Sequence, residues 1–431
     1  MNIVIISYRI SGNDGVSLEC VHWKEILEKM GHKVTFVAGQ LDRAGVLMPE
    51  LHFQWPHVMD LHDKVVYGKG KYRQIEARIF DIAGTIEGKL RHFLNGSRKV
   101  DLLIVPNIFS LPMHFPLAVA LSRVIEETRI PTIARHHDFW WERSRYLKSQ
   151  LFPFFERWFP PNFPWIKHVV INSVAKEEFR KRTGLEAEVI WDCFDFSNTN
   201  LQKIDGYSKY FRGDFGIKQD DIVFLQATRI VNRKRFELSI EFMKKLDEPK
   251  AIFIISGHAG DEGGDYLKKI KTLLGISKIR YKFVGKYVNS KRRIIQLPSN
   301  NGPVRRRVYT MWDAYRNSDF ILYPTKIEGF GNQFIEAVYF KKPIILTPYP
   351  VYERDINSKG FEVIKMGDKV TTVVIKKVKE LIDNPEKRLA MVEKNFELGE
   401  KYMSYGWVEK KLRRIFKEMN FEPTMGIEPM T

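Results

Sequence analysis

YPTKIEGFGNQFIEAVYFKKP, Tyr323 to Pro343, reads as a strand that stops near Tyr323, a loop with two glycines, and a helix opened by Asn332 as its N-cap. In an open parallel sheet, ligands bind in the loop beyond a strand's carboxyl end. A helix N-terminus placed there offers free N–H groups and partial positive charge to a phosphate. Gly329 and Gly331 let the backbone approach such a ligand closely. Glu328 lies in the loop and Glu336 in the first turns of the helix, and carboxylates accept charge-assisted hydrogen bonds from sugar hydroxyls. An ordinary crossover with solvated glutamates carries the same residues.

Working outward, short β-branched runs alternate with helix-length amphipathic segments. The runs are Asn2 to Ser7, Lys33 to Val37, Asp101 to Val105, Thr132 to Ala134 and His168 to Asn172. In the second half they are Asp221 to Gln226, Ala251 to Ser256, Ile279 to Val284, Asp319 to Tyr323 and Pro343 to Thr347. Near-continuous apolar strands between helices predict an α/β protein of two doubly wound parallel sheets. Ser197 to Gly216 is polar, lacks a hydrophobic period and reads as the linker, so domains are expected over 1–200 and 215–400. A helix over 401–419 places Trp407, Val408, Leu412, Ile415, Phe416 and Met419 on one stripe that needs an apolar surface to cover, and 420–431 reads as a frayed tail.

The chain has 431 residues, 44% of them hydrophobic and 13% aromatic, which excludes disorder, collagen and coiled coil. Cys20 and Cys193 are the two cysteines, too few for a disulfide framework or a four-thiolate zinc site. No apolar run is long enough to span a bilayer, and MNIVIISY reads as a first strand, so the expected location is cytoplasmic. The formal charge of +18 leaves phosphorylated small molecules, membrane surfaces and nucleic acid open as partners.

Other loops after strands carry candidate chemistry. In Ala227 to Glu237, ATRIVNRKRFE, Arg229 and Lys234 are spaced to converge on one diphosphate, one as a planar fork and one as a point charge. In Ser11 to Glu19, SGNDGVSLE, Gly12 and Gly15 echo a phosphate-binding turn, but no G-x-G-x-x-G fingerprint or Walker lysine is present. Arg135 to Arg143, RHHDFWWER, crowds polar residues after a strand. No third and fourth metal ligand accompanies its histidines at a familiar spacing, and no D-x-D occurs, so no metal or other cofactor is expected.

Together these residues resemble the retaining glycosyltransferases of family four, with the GT-B fold, over about residues 1 to 418. The most specific element is Glu328, seven residues, Glu336 within EGFGNQFIEA; Arg229 with Lys234, DGVSLE, HHD and the final SYGWVEKKL support it. The resemblance implies two facing Rossmann-like domains, the first on the acceptor side, the second holding the nucleotide sugar, and a last helix returning to the first. It implies that Arg229 and Lys234 bind the donor diphosphate, Glu328 the transferred sugar and Glu336 the ribose. Backbone N–H groups of Phe330, Gly331 and Asn332 would meet the phosphates or sugar. His137, with His136 as the alternative, would approach the sugar, and Gly15 would lie in the loop facing the donor. Arg235 stands where the family commonly has glycine.

The reaction so implied is metal-independent hexose transfer to a glycan, lipid-linked or small polar acceptor, with cations and a helix N-terminus stabilising the leaving phosphate. The competing readings are a GT-B epimerase or phosphorylase and a non-catalytic RNA- or polyanion-binding protein; the nucleic-acid reading lacks a recognised motif. Residues 1–200 carry 26 basic and 23 acidic groups, residues 201–431 carry 44 and 29, and Tyr266 to Trp312 holds 13 Lys or Arg with no acid. That stretch is either a solvated surface or a dock for anionic lipid on the inner face of the cytoplasmic membrane. The aromatic segment Leu151 to Trp165 is expected in the domain's own core, with membrane contact as the alternative.

Overall fold

The computed structural model describes all residues except 13, 67–70, 97–98, 150, 259–263, 299–301 and 422–431. In chain order the first strands are β1 Asn2–Ser7, β2 Lys33–Ala38, β3 Val46–Leu47, β4 Leu102–Pro106, β5 Thr132–His136, β6 Ile166–Val170 and β7 Ala187–Val189. They form a seven-stranded sheet ordered β3-β2-β1-β4-β5-β6-β7, parallel throughout. There follow β8 Ile222–Gln226, β9 Ala251–Ile255, β10 Tyr281–Phe283, β11 Arg293–Leu297, β12 Val304–Val308, β13 Phe320–Tyr323, β14 Ile344–Leu346 and β15 Ile364–Lys365. Six of these form the parallel sheet β10-β9-β8-β13-β14-β15, and β11 pairs with β12 as an antiparallel ribbon. All ten apolar runs read from the sequence are strands. The remaining strands have two or three residues, or, in the ribbon, an arginine-rich pattern that no apolar alternation announces.

The chain divides into two compact units, Met1–Asp192 with the chain from Tyr405 onward, and Cys193–Ser404. The break therefore falls before the stretch 197–216 read as a linker. That stretch belongs to the second unit because its polar groups have partners there. Asp205 accepts from the backbone of Tyr207 and Ser208 and pairs with Arg292 at 2.7 Å, while Phe211 and Phe215 pack on Tyr309. The acid-free run 266–312 is partly balanced in the same way. Three of its arginines find acids outside it: Arg292 takes Asp205 and Asp313, Arg307 takes Asp214, and Arg280 holds Asp221 through two 2.7 Å bonds.

In the first unit, helix Tyr405–Glu418 covers helix Gly15–Lys29 with Val408, Leu412, Ile415 and Phe416 buried. Tyr405 donates to Glu25 at 2.6 Å, and Trp407 lies 5.5 Å from Trp191. Residues 401–404 stay with the second unit, since helix Pro385–Met403 ends there and Met403 accepts from the Phe194 amide at 2.9 Å. Of the tail read as frayed, Phe421 packs against Phe416, and 422–431 lie outside the described residues. Phe154, Phe155 and Phe159 are buried against Phe80, Phe115 and each other, so the aromatic segment is core, each ring contributing about 2–3 kcal/mol by burial. Among the described residues no helix is long and apolar enough to cross a membrane.

Candidate active site

In the second unit the site forms where β8 and β13 end side by side. After β13 the loop runs to Gly331, which takes φ 117° and ψ 71° and is itself the N-cap of helix Asn332–Tyr339. Asn332 is thus the first helical residue and not the cap, because the chain must turn through a left-handed conformation that glycine alone enters freely. Space demands the same residue: a Cβ on Gly331 would sit 2.5 Å from the Tyr349 hydroxyl and 2.8 Å from that of Tyr323.

Glu328 in that loop accepts from two cations, the Lys234 ammonium and Arg233 Nη1, the latter at 3.1 Å. Arg233 also donates to the Ile327 carbonyl at 2.8 Å, tying the β8 loop to the β13 loop. Burial would raise the Glu328 carboxyl, but Lys234 and Arg233 outweigh it and hold the group below its ordinary range. Burial pushes Lys234 down to about 8; Arg233 and Arg229 add to the depression and Glu328 opposes it. Lys234 also lies 5.5 Å over the Tyr323 ring. Arg229 is exposed and makes no ion pair among the described residues, yet its charge reaches Lys234. Glu336, half-buried in the helix, accepts from the Tyr315 hydroxyl at 2.7 Å. Phe330 is buried, its carbonyl held by the Tyr349 hydroxyl at 2.8 Å.

Two residues here escaped the sequence reading. Arg233 was hidden in a basic run whose members are equivalent until folded. Gly257, just after β9, lies so close to the β8 loop that a Cβ would fall 1.7 Å from the Thr228 carbonyl oxygen. A glycine following an apolar strand was its only signal. Arg235 has φ 49° and ψ 53°, the left-handed region that glycine occupies without cost, and its side chain reaches Asp368 at 2.7 Å. The loop keeps a glycine-like conformation with an arginine in it.

In the first unit the residues gather on the face of β5 toward helix Gly15–Lys29. Arg135, 2% exposed, donates through Nη2 to Glu19 at 2.8 Å and Asp192 at 2.9 Å, and its Cζ lies 4.4 Å over Trp23. Strand alternation sends His136 to the opposite face, where it bonds His168 at 3.0 Å and stacks on Phe179. His137 returns to the face of Arg135. Its amide is held by the Asn107 side chain at 2.7 Å, and its Nε2 stands 3.9 Å from Asp192. Both its ring nitrogens are buried without a hydrogen-bond partner among the described residues, and burial together with Arg135 lowers its pKa to about 3, so the ring is neutral. Burial and Glu19 raise Asp192 against the pull of Arg135. For Glu19, burial is outweighed by Arg135 and His22, and the carboxyl is lowered. Gly15 is the exposed first residue of its helix, which Asp14 caps by accepting from the Ser17 amide at 3.1 Å.

No protein-family model matches the chain. Its sequence is 33% identical to the mannosylglucosylglycerate synthase of Thermotoga maritima, over 96% of this chain and 99% of that protein. It is 32% identical to the mannosylglucosylglycerate synthase of Petrotoga mobilis, over 86% and 87%. Its structure is similar to that of a glycosyltransferase from Rickettsia africae, at TM-score 0.67 and 12% identity, covering 98% of this chain and 99% of that one. It is also similar to Anabaena HepE solved with UDP-glucose, at TM-score 0.62 and 13% identity, covering 97% and 100%. At such identities the structural likeness speaks for the fold.

Proposed function

Because the chain belongs to the family-four glycosyltransferases of GT-B fold, which include the mannosylglucosylglycerate synthases, we propose that it moves a hexose from a nucleotide-diphosphate sugar to a hydroxyl of a small polar acceptor, with retention and without a metal ion. The observation that carries the reading is the pair of cations on one carboxylate, Lys234 and Arg233 on Glu328, at strand ends beside a helix N-terminus. Such a cluster holds surplus positive charge, which a diphosphate satisfies. As the bond to the leaving phosphate breaks, negative charge grows on that phosphate, and Lys234, Arg229 and the N–H groups near Gly331 stabilise it in place. Glu328, released from its cations by the incoming anion, accepts from the sugar's hydroxyls, and Glu336 from the ribose. His137, neutral and with open ring nitrogens, is the residue given to the transferred sugar, and Gly15 belongs to the donor-side loop. The relatives' names put a mannosyl nucleotide and glucosylglycerate first in the panel.

Thermal-shift screening of sugar nucleotides followed by a transfer assay tests this. A selective donor shift and turnover are expected, with both lost in Lys234→Ala and Arg229→Ala. Unchanged turnover of the true donor in those variants ends the reading. The finer partner reading, peripheral contact with anionic membrane, rests on Lys291, Arg293 and Arg305, which make no ion pair among the described residues. Co-sedimentation with anionic but not neutral vesicles is expected, and equal binding to both rejects it.

A further inference from the structure

A cavity of about 850 Å³ opens in the first unit where the sheet around β1, β2 and β3 meets the last turns of helix Tyr72–Leu94. Val4, Val46, Met48, Phe93 and Val100 form its apolar wall. The last four pack on the unit's core yet remain only half-buried. His137 and Gly15, the residues of this unit given to sugar transfer, do not line the cavity. Its volume lies within the range of about 300–1,000 Å³ typical of small-molecule sites.

Two features say what it takes. Gly88 stands in the interior of a 23-residue helix, where only proline is less favourable, and a Cβ built on it meets nothing within 4 Å. No neighbour in the fold requires glycine there; its effect is to leave the wall open. Lys33 and Lys99 line the cavity and make no ion pair among the described residues, whereas Glu50, the one acid among the described lining residues, is already held by Lys89. An apolar hollow edged by two uncommitted ammonium groups is complementary to a molecule with an apolar body and a single negative head.

We propose that this cavity binds a small amphiphilic carboxylate, its apolar body against Phe93 and Met48 and its head between Lys33 and Lys99, at a site distinct from that of sugar transfer.

The test is a fluorescence titration of the full chain with anilinonaphthalene sulfonate, using decanoate and decyltrimethylammonium as competitors. Saturable binding is expected, reversed by decanoate and not by decyltrimethylammonium. Gly88→Leu fills the opening from a position facing free space, and at least a tenfold weaker affinity is expected with donor turnover unchanged. Lys33→Glu with Lys99→Glu is expected to weaken the probe at least tenfold with an unchanged circular dichroism spectrum. Equal competition by the cationic amphiphile overturns the proposal. So does unaltered probe affinity in the folded leucine variant; should leucine unfold the chain, unaltered affinity in the double lysine variant overturns it alone.

Discussion

In the first unit one buried guanidinium, Arg135, serves two carboxylates, Glu19 and Asp192, whereas in the second one carboxylate, Glu328, serves two cations, Lys234 and Arg233. Burial and these pairings together set the chemistry of each. Burial, reinforced by the neighbouring Glu19, makes Asp192 hold its proton more tightly against the pull of Arg135, while His22, 3.0 Å from Glu19, gives that acid a second partner. Lys234 and Arg233 keep the Glu328 carboxylate ionised against its burial, and burial, with Arg233 and Arg229 adding to it, loosens the proton on Lys234, which suits that cluster to an anion. Both sit at the carboxyl ends of parallel strands, and the fold alone does not distinguish them.

The largest effect is expected where the anion-accepting cluster loses its cation. Lys234→Ala should lower kcat/KM at least about 100-fold with the true donor, the scale of a lost preorganised charge. Steady-state kinetics check it, and the same loss in Asp192→Asn would erase the distinction between the clusters. Next comes the turn that frames the second cluster. Gly331→Ala forces a side chain into φ 117° and against two tyrosine hydroxyls, and should cost about 2 kcal/mol in a denaturant melt.

Asp192→Asn probes the acid-rich cluster through pH. A carboxyl whose folded pKa is raised stabilises the fold below its unfolded pKa, about 4, and loses that contribution as pH rises through the folded value. The wild type should therefore lose stability relative to Asp192→Asn on going from about pH 4 to pH 8, read from denaturant melts at the two pH values. Parallel curves for the two proteins would show that Arg135 already compensates both acids. The smallest effect is at Arg235, where relief of a left-handed arginine, about 1 kcal/mol, is set against loss of a pair to the exposed Asp368. Arg235→Gly should shift stability by less than about 1 kcal/mol in thermal melts.

Much of the second cluster was legible. Lys234 and Glu328 stand in loops after recognisable strands, and a strand-loop-helix pattern says which end of the sheet they occupy. Which cation takes the carboxylate was not legible, since Arg233 and Arg235 flank Lys234 and only the backbone path separates their directions. The first cluster was barely legible. His137 was visible within a doublet, and its register became definite only when β5 was seen to end at His136. Arg135, Glu19 and Asp192 are separated by 116 and 57 positions, a spacing no local pattern encodes.

By itself the sequence determined the two parallel sheets, the apolar stripe of the last helix and the glycine-bearing donor loop, because hydrophobic period and backbone permissiveness are local properties of the chain. The tertiary structure alone decided how charge is shared: that Asp205, Asp214 and Asp221 pair with three arginines of a run containing no acid, that two acids meet Arg135, and that two cations meet Glu328. Electrostatic partners are chosen by distance and burial, and both are set by packing between residues far apart in the chain.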